Sequence, residues 1–277
     1  MDPIELYLDL MKRVLTRTGF EDSAIDPWSG RNWVRYLLVP TQLVLARGGY
    51  RLVKTHNPID AEQRSRIREE GRDWPATAET MIGLRRLDNL QHCVEAALAD
   101  GVPGDLIETG VWRGGATIFM RAVLAAHQVT NRIVWVADSF QGLPEPDAVR
   151  YPADEGDPHS TFEQLAVSAD EVRANFEKYR LLDDQVRFLE GWFADTLPAA
   201  PIDQLAVARL DGDMYGSTWD AITVLYPKLS PGGFLIVDDY HAVEACRRAI
   251  EDYREREGIA APIEEIDGMG VFWRKPR

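Results

Sequence analysis

Cysteine is almost missing from this chain of 277 residues: Cys93 and Cys246 are the only two. Neither has a CxxC partner or a neighbouring histidine, so the sequence excludes a zinc finger and a disulfide framework and points to two thiols in a reducing cytoplasm. Positive charge is scarce as well. With 31 Lys and Arg against 45 Asp and Glu the formal charge is −14, which repels a nucleic-acid backbone and suits a neutral or cationic ligand. Long apolar runs are also lacking. The most apolar stretch, Trp33 to Ala46, is interrupted by Arg35, Pro40 and Gln42, and the opening MDPIELYLDLMKR has acids and a proline where a signal peptide has basic residues. The expectation is a cytoplasmic chain with no membrane segment and no nucleic-acid partner.

What is present is a regular alternation. Ile4, Leu8, Met11 and Leu15 fall on one face of a helix over residues 4–17, and Met81, Leu84, Leu87 and Leu90 form a second stripe over 77–99. Between them lie the 33–45 apolar stretch and, from Asp60 to Asp73, mixed charges that read as a solvated helix or connection. Beyond residue 100, strand-like runs at 106–109, 133–138, 186–189, 206–211 and 234–238 alternate with helix-like segments at 116–127, 169–179, 218–226 and 243–254. Such alternation predicts a parallel sheet covered on both faces. Runs at 262–266 and 270–273 are too close for a crossover and predict a terminal antiparallel hairpin. An α/β fold follows: a seven-stranded, mostly parallel sheet with an antiparallel last strand, behind an N-terminal helical layer. This is the sheet of the Rossmann-like class I methyltransferases.

Two apolar strands end in carboxylates, Asp211 with Asp213 after one and Asp238 with Asp239 after the other. As neighbouring parallel strands they would emerge on one sheet edge, and carboxylates that close call for a hard divalent cation. The first strand runs into Glu108-Thr109-Gly110-Val111-Trp112-Arg113-Gly114-Gly115. A glycine-rich strand-to-helix turn lets the backbone approach a ligand at a helix N-terminus, and the spacing is not the GxGxxG of hydride-transfer enzymes. The second strand ends in Asp138, followed by Ser139, Gln141 and Gly142, where an acid can take both hydroxyls of a ribose. After the third comes Trp192, suited to an adenine face. His241 follows the second acidic pair and is a candidate base.

Together the phrases IETGVWRGG, VADSFQGLP, RLDGDMYGST and GGFLIVDDYH resemble the macrocin O-methyltransferase (TylF-type) family, and the resemblance runs from about Trp74 to the C-terminus. GRDWP, TMIGLRRLDN and LLDDQVRFL resemble its aminocoumarin noviose 4-O-methyltransferase branch. The resemblance implies residues 1–75 as a helical extension or lid and 76–277 as the S-adenosylmethionine-dependent domain. It implies a Mg2+-dependent transfer of methyl to a deoxysugar hydroxyl on a glycosylated small molecule in antibiotic biosynthesis. Its metal ligands match Asp211, Asp238 and Asp239, and its base matches Asp211. Its cofactor loop matches Glu108, Thr109, Gly110, Val111, Trp112, Arg113 and Gly114, its ribose acid matches Asp138, and Thr80 and Met81 match the part that closes over the methionine end. Asp213 takes a supporting place, a vicinal diol is the expected acceptor feature, and the apolar N-terminal helices suggest a homodimer. Two other readings of the residues compete: a catechol-type O-methyltransferase acting on a phenolic diol, and a Mg2+-dependent phosphatase suggested by Asp211-Gly-Asp213.

Overall fold

Branched and small apolar residues in short runs, bounded by glycine, proline and acids, make the strands. In the computed structural model, which describes residues 2–20, 24–25 and 61–277, they form one seven-stranded sheet. Its members in chain order are β3 (Asp105–Thr109), β4 (Val134–Asp138), β5 (Val186–Glu190), β6 (Leu205–Leu210), β7 (Leu229–Val237), β8 (Glu264–Glu265) and β9 (Val271–Arg274). Their order across the sheet is β5-β4-β3-β6-β7-β9-β8. The first five are parallel, β9 runs antiparallel to β7, and β8 pairs antiparallel with β9 as the hairpin expected from the sequence. A separate antiparallel pair joins β1 (Ala24–Ile25) to β2 (Trp74–Pro75). The apolar stretch at 33–46 lies outside the described residues.

Strand side chains alternate between two layers. Leu106, Val134, Val136 and Val207 enter one core with Ile118 and Phe119 of α4 (Gly115–Ala126), Leu87 and Leu90 of α3 (Gly83–Ala99), and Phe176 of α5 (Ala169–Lys178). Ile107, Trp135, Ala137 and Ala208 enter the other, with Leu197 of α6 (Phe193–Ala199), Ile222 and Leu225 of α7 (Tyr215–Lys228), and Ile250 of α8 (Glu244–Arg256). The first helix, α1 (Pro3–Thr16), is not a detached layer, because its Leu8, Met11 and Leu15 are buried in the first of these cores. The mixed-charge stretch forms α2 (Ala61–Glu69). Helix α3 starts later than the stripe from 77 suggests. The amides of Glu79 and Thr80 donate to the Leu15 carbonyl and Gly115 donates to that of Glu79, so 77–82 is tied between α1 and α4 and becomes a wall.

Candidate active site

Parallel pairing of β6 with β3 on one side and β7 on the other brings three strand ends to one edge. There the turn after β3 and the turn after β6 are packed backbone to backbone. Asp211 donates its amide to the Thr109 carbonyl at 2.9 Å, and a Cβ added to Gly110, at φ +84°, would stand 1.7 Å from the Asp211 carbonyl oxygen. Only glycine fits that position. A cavity of about 430 Å³ opens over these turns and includes Thr80, Met81, Glu108, Gly110, Val111, Trp112, Asp138, Ser139, Gly142 and Trp192 of the residues expected to hold a cofactor. Its size lies within the range of small-molecule sites.

Four further residues expected to hold a cofactor do not line this cavity. Thr109 is buried and holds the Asp211 turn; Arg113 reaches back, its Nη1 donating to the carbonyls of Pro75, Ala76 and Ala78. Gly114, at φ +86°, starts α4 against Val172, and Gln141 folds onto Ser139. Asp138 lines the cavity, yet both of its oxygens already accept: Oδ2 from the Val111 amide at 2.8 Å and Oδ1 from the Phe140 amide at 2.7 Å. Burial pushes its carboxyl up, and those amides pull it back. It clamps the turns after β3 and β4 together.

Beneath the cavity floor sits a buried cation that the sequence reading passed over. Arg209, next to last in β6 and 1% exposed, gives Nη1 to Glu108 Oε1 at 2.5 Å and to Asp211 Oδ2 at 2.7 Å, and Nη2 to Asp238 Oδ1. Arg86 of α3 takes the other oxygen of Asp238 and lies 3.2 Å from Asp267. Asp238 therefore departs from the ligand role expected of it, since two guanidiniums claim both its oxygens. The cause is strand alternation: of two adjacent residues at the end of β7, one faces Arg86 and the other the opposite side.

Asp239 faces that opposite side and meets Asp211 and Asp213, with one carboxylate oxygen from each all within 4.8 Å of one another. Asp213 is thus a full member of the cluster rather than a supporter. Its backbone adopts φ +53°, a left-handed turn costly for a residue with a Cβ. That turn folds it back toward Asp211, where an extended chain would carry it away. Burial and then the charge of Asp211 raise the Asp213 carboxyl to about 7. Burial, then Asp213 and Asp211, put Asp239 well above the usual carboxylate range, and its Oδ2 has no hydrogen-bond partner. Glu108 is pushed up to about 8 by burial, and its Oε2 is likewise orphaned. Of the five carboxylates Glu108, Asp211, Asp213, Asp238 and Asp239, only Glu108, Asp211 and Asp238 meet a guanidinium, so the pocket is built for positive charge. His241 does not belong to it: its amide donates to the Met269 carbonyl and its Nε2 lies 3.5 Å from Glu265 on the hairpin side.

The remaining wall, residues 143–165, comes from the long connection between β4 and α5. It is fastened to the acid turn by Asp154, whose two oxygens accept from the amides of Tyr215 at 2.7 Å and Gly216 at 2.9 Å. These are the first N–H groups of α7, which has no cap of its own. The Tyr151 hydroxyl adds a bond of 2.6 Å to Asp220.

Three comparisons bear on this site. The family model described as Macrocin-O-methyltransferase (TylF) matches residues 4–275. The 8-demethyl-8-(2,3-dimethoxy-alpha-L-rhamnosyl)-tetracenomycin-C 4'-O-methyltransferase of Streptomyces olivaceus is 56% identical over 99% of this chain and 94% of its own. The demethyldecarbamoylnovobiocin O-methyltransferase of Streptomyces niveus is 50% identical over 98% and 94%. Among solved structures, that of the O-methyltransferase NovP superposes with a TM-score of 0.84 at 48% identity, covering 99% of this chain and all of the other.

Proposed function

Because the chain belongs to the macrocin O-methyltransferase family, we propose that it moves the methyl of S-adenosylmethionine to a deoxysugar hydroxyl of a glycosylated natural product, with Mg2+ held by its acid cluster. The observation that carries this reading is the double duty of Asp211. Its backbone is locked on Gly110 of the donor loop, and its carboxylate stands with Asp213 and Asp239, so donor and acceptor sites are two faces of one turn.

The residues present fit both groups. The glycine loop, the orphaned Glu108 Oε2 and the clamped Asp138 form the donor side. Asp211, Asp213 and Asp239, one with an orphaned oxygen, supply the all-oxygen donor set that Mg2+ requires. When bound, the sulfonium supplies an electrophilic methyl and the divalent cation supplies Lewis acidity toward an alcohol. The chain's part is to hold the alcohol in line with the methyl and to keep bulk water out. Arg209 keeps Asp211 oriented from below, and Arg86 with Arg209 keeps Asp238 out of the cluster.

The S. olivaceus relative is named for a 4'-hydroxyl on a 2,3-dimethoxy sugar. A vicinal pair of oxygens, one free and one already an ether, is therefore a sufficient acceptor feature, broader than the vicinal diol. The test is direct. The protein, S-adenosylmethionine, Mg2+ and the acceptor named for that relative are incubated and assayed by mass spectrometry, with a parallel arm in EDTA. Gain of one methyl, lost in EDTA and restored by Mg2+, is expected. No methylation of any glycosylated acceptor overturns the reading, and turnover indifferent to EDTA removes the metal from it.

A further inference from the structure

The cavity holds one histidine, His159, and nothing assigned so far uses it. His159 belongs to the wall that Asp154 fastens to α7, two residues beyond Asp213. Its ring is placed on two sides. Nδ1 lies 2.8 Å from Asp157 Oδ1, and the ring edge packs on Phe162 at 5.5 Å, which in turn packs on Trp74. An ionised carboxylate only accepts, so Nδ1 carries the hydrogen, and in the neutral ring Nε2 is then the acceptor. Among the described residues Nε2 has no hydrogen-bond partner. The charges that face the ring are Asp157 on its own segment and Asp213 across the cavity.

Two of the cavity carboxylates are already committed to guanidiniums. Arg209 and Arg86 hold Asp238 between them, and Asp211 accepts from Arg209. Carboxylates given to a divalent cation lose basicity, as any anion does beside positive charge. We infer that His159, oriented by Asp157, is a catalytic residue that takes the proton of the acceptor hydroxyl. As the oxygen–methyl bond forms and the sulfur–methyl bond breaks, the hydroxyl proton passes to Nε2. The resulting imidazolium is stabilised by Asp157 and returns the proton to water, since the side chain is 22% exposed. Carboxylate, imidazole and reacting atom then stand in the order that nucleophile-activating sites use.

This inference rests on the methyl-transfer reading, and the experiment separates the two. Single-turnover rates are measured for wild type, His159→Ala, His159→Gln and Asp157→Asn with the acceptor of the assay above, and S-adenosylhomocysteine binding by calorimetry reports an intact donor site. The expected result is a loss of about 10²- to 10⁴-fold in both His159 variants, with S-adenosylhomocysteine affinity unchanged and partial rescue of His159→Ala by added imidazole. Asp157→Asn loses less and is not rescued. Active wild type with His159→Gln at the wild-type rate, or with a loss confined to KM and no imidazole rescue, overturns the role of His159 and leaves the methyl-transfer reading standing. An inactive wild type overturns that reading and the inference with it. If His159→Ala fails to bind S-adenosylhomocysteine, the Gln variant decides.

Discussion

Arg209→Met removes the cation shared by two buried carboxylates, Glu108 and Asp238, and the partly exposed Asp211, with little change in volume. Arg209 is 1% exposed, and its partners Glu108 and Asp238 have side chains 2% and 5% exposed, so water cannot replace it. Breaking a buried ion pair by deleting one partner costs about 3–5 kcal/mol. Three partners do not triple that figure: Asp238 keeps Arg86, and Glu108, already raised to about 8, escapes by taking a proton. The expected loss therefore stays at roughly 3–5 kcal/mol near pH 8, seen in urea unfolding without cation and as a drop in Tm on the order of 10 °C. Without Arg209 the folded pKa of Glu108 and Asp211 climbs further. A carboxylate raised in the folded state contributes stability below its unfolded pKa and loses it as pH rises through the folded one. The deficit must shrink toward pH 5.5. A variant within about 1 kcal/mol of wild type at pH 8, or a deficit that grows on acidification, refutes the account.

Asp213→Asn should weaken Mg2+ or Mn2+ binding in calorimetry by roughly 1.5–3 kcal/mol, the worth of a charged contact, whereas Asp238→Asn should spare most of that affinity and lower stability instead. The reverse ranking would restore Asp238 as the ligand. Cation affinity of the wild type should rise between about pH 6 and 8 with proton release, because Asp213 is held at about 7 and must ionise to bind; titrations in buffers of different ionisation enthalpy measure the release. Without cation the same raised groups, Asp213 and Glu108, make the protein less stable at pH 8 than at pH 6. Gly110→Ala should abolish S-adenosylhomocysteine binding, as the new methyl would overlap the Asp211 carbonyl, and retained binding would mean that the two turns separate freely.

The sheet was legible because its strands are apolar runs separated by helices, a pattern only one layer arrangement satisfies. The glycine turn after β3 was legible for a similar reason, since Gly110 has no substitute. The sequence places the acids at two strand ends, and the structure groups them as Asp211, Asp213 and Asp239. Asp238 and Asp239 look equivalent in sequence, and strand alternation sends them to opposite faces; Asp213 looks like a loop residue, and a left-handed backbone brings it in. An arginine inside Leu-Ala-Val-Ala-Arg-Leu was the visible anomaly, since a buried charge must be paired. No local pattern marks His159, because what places it is Asp154 reaching 61 residues along the chain to the start of α7.

The contact between Gly110 and Asp211 fixes the spacing of donor and acid cluster through main chain alone, independent of any side chain in the outer wall. Residues 143–165 are joined to that core by few bonds, chiefly those of Asp154 and Tyr151. On the proposed reading, the molecule divides into a transfer unit fixed by main chain and a separately fastened wall that selects the acceptor. Grafting the 143–165 segment of a relative, with Asp154, Asp157 and His159 retained, should exchange the acceptor while leaving the donor site untouched.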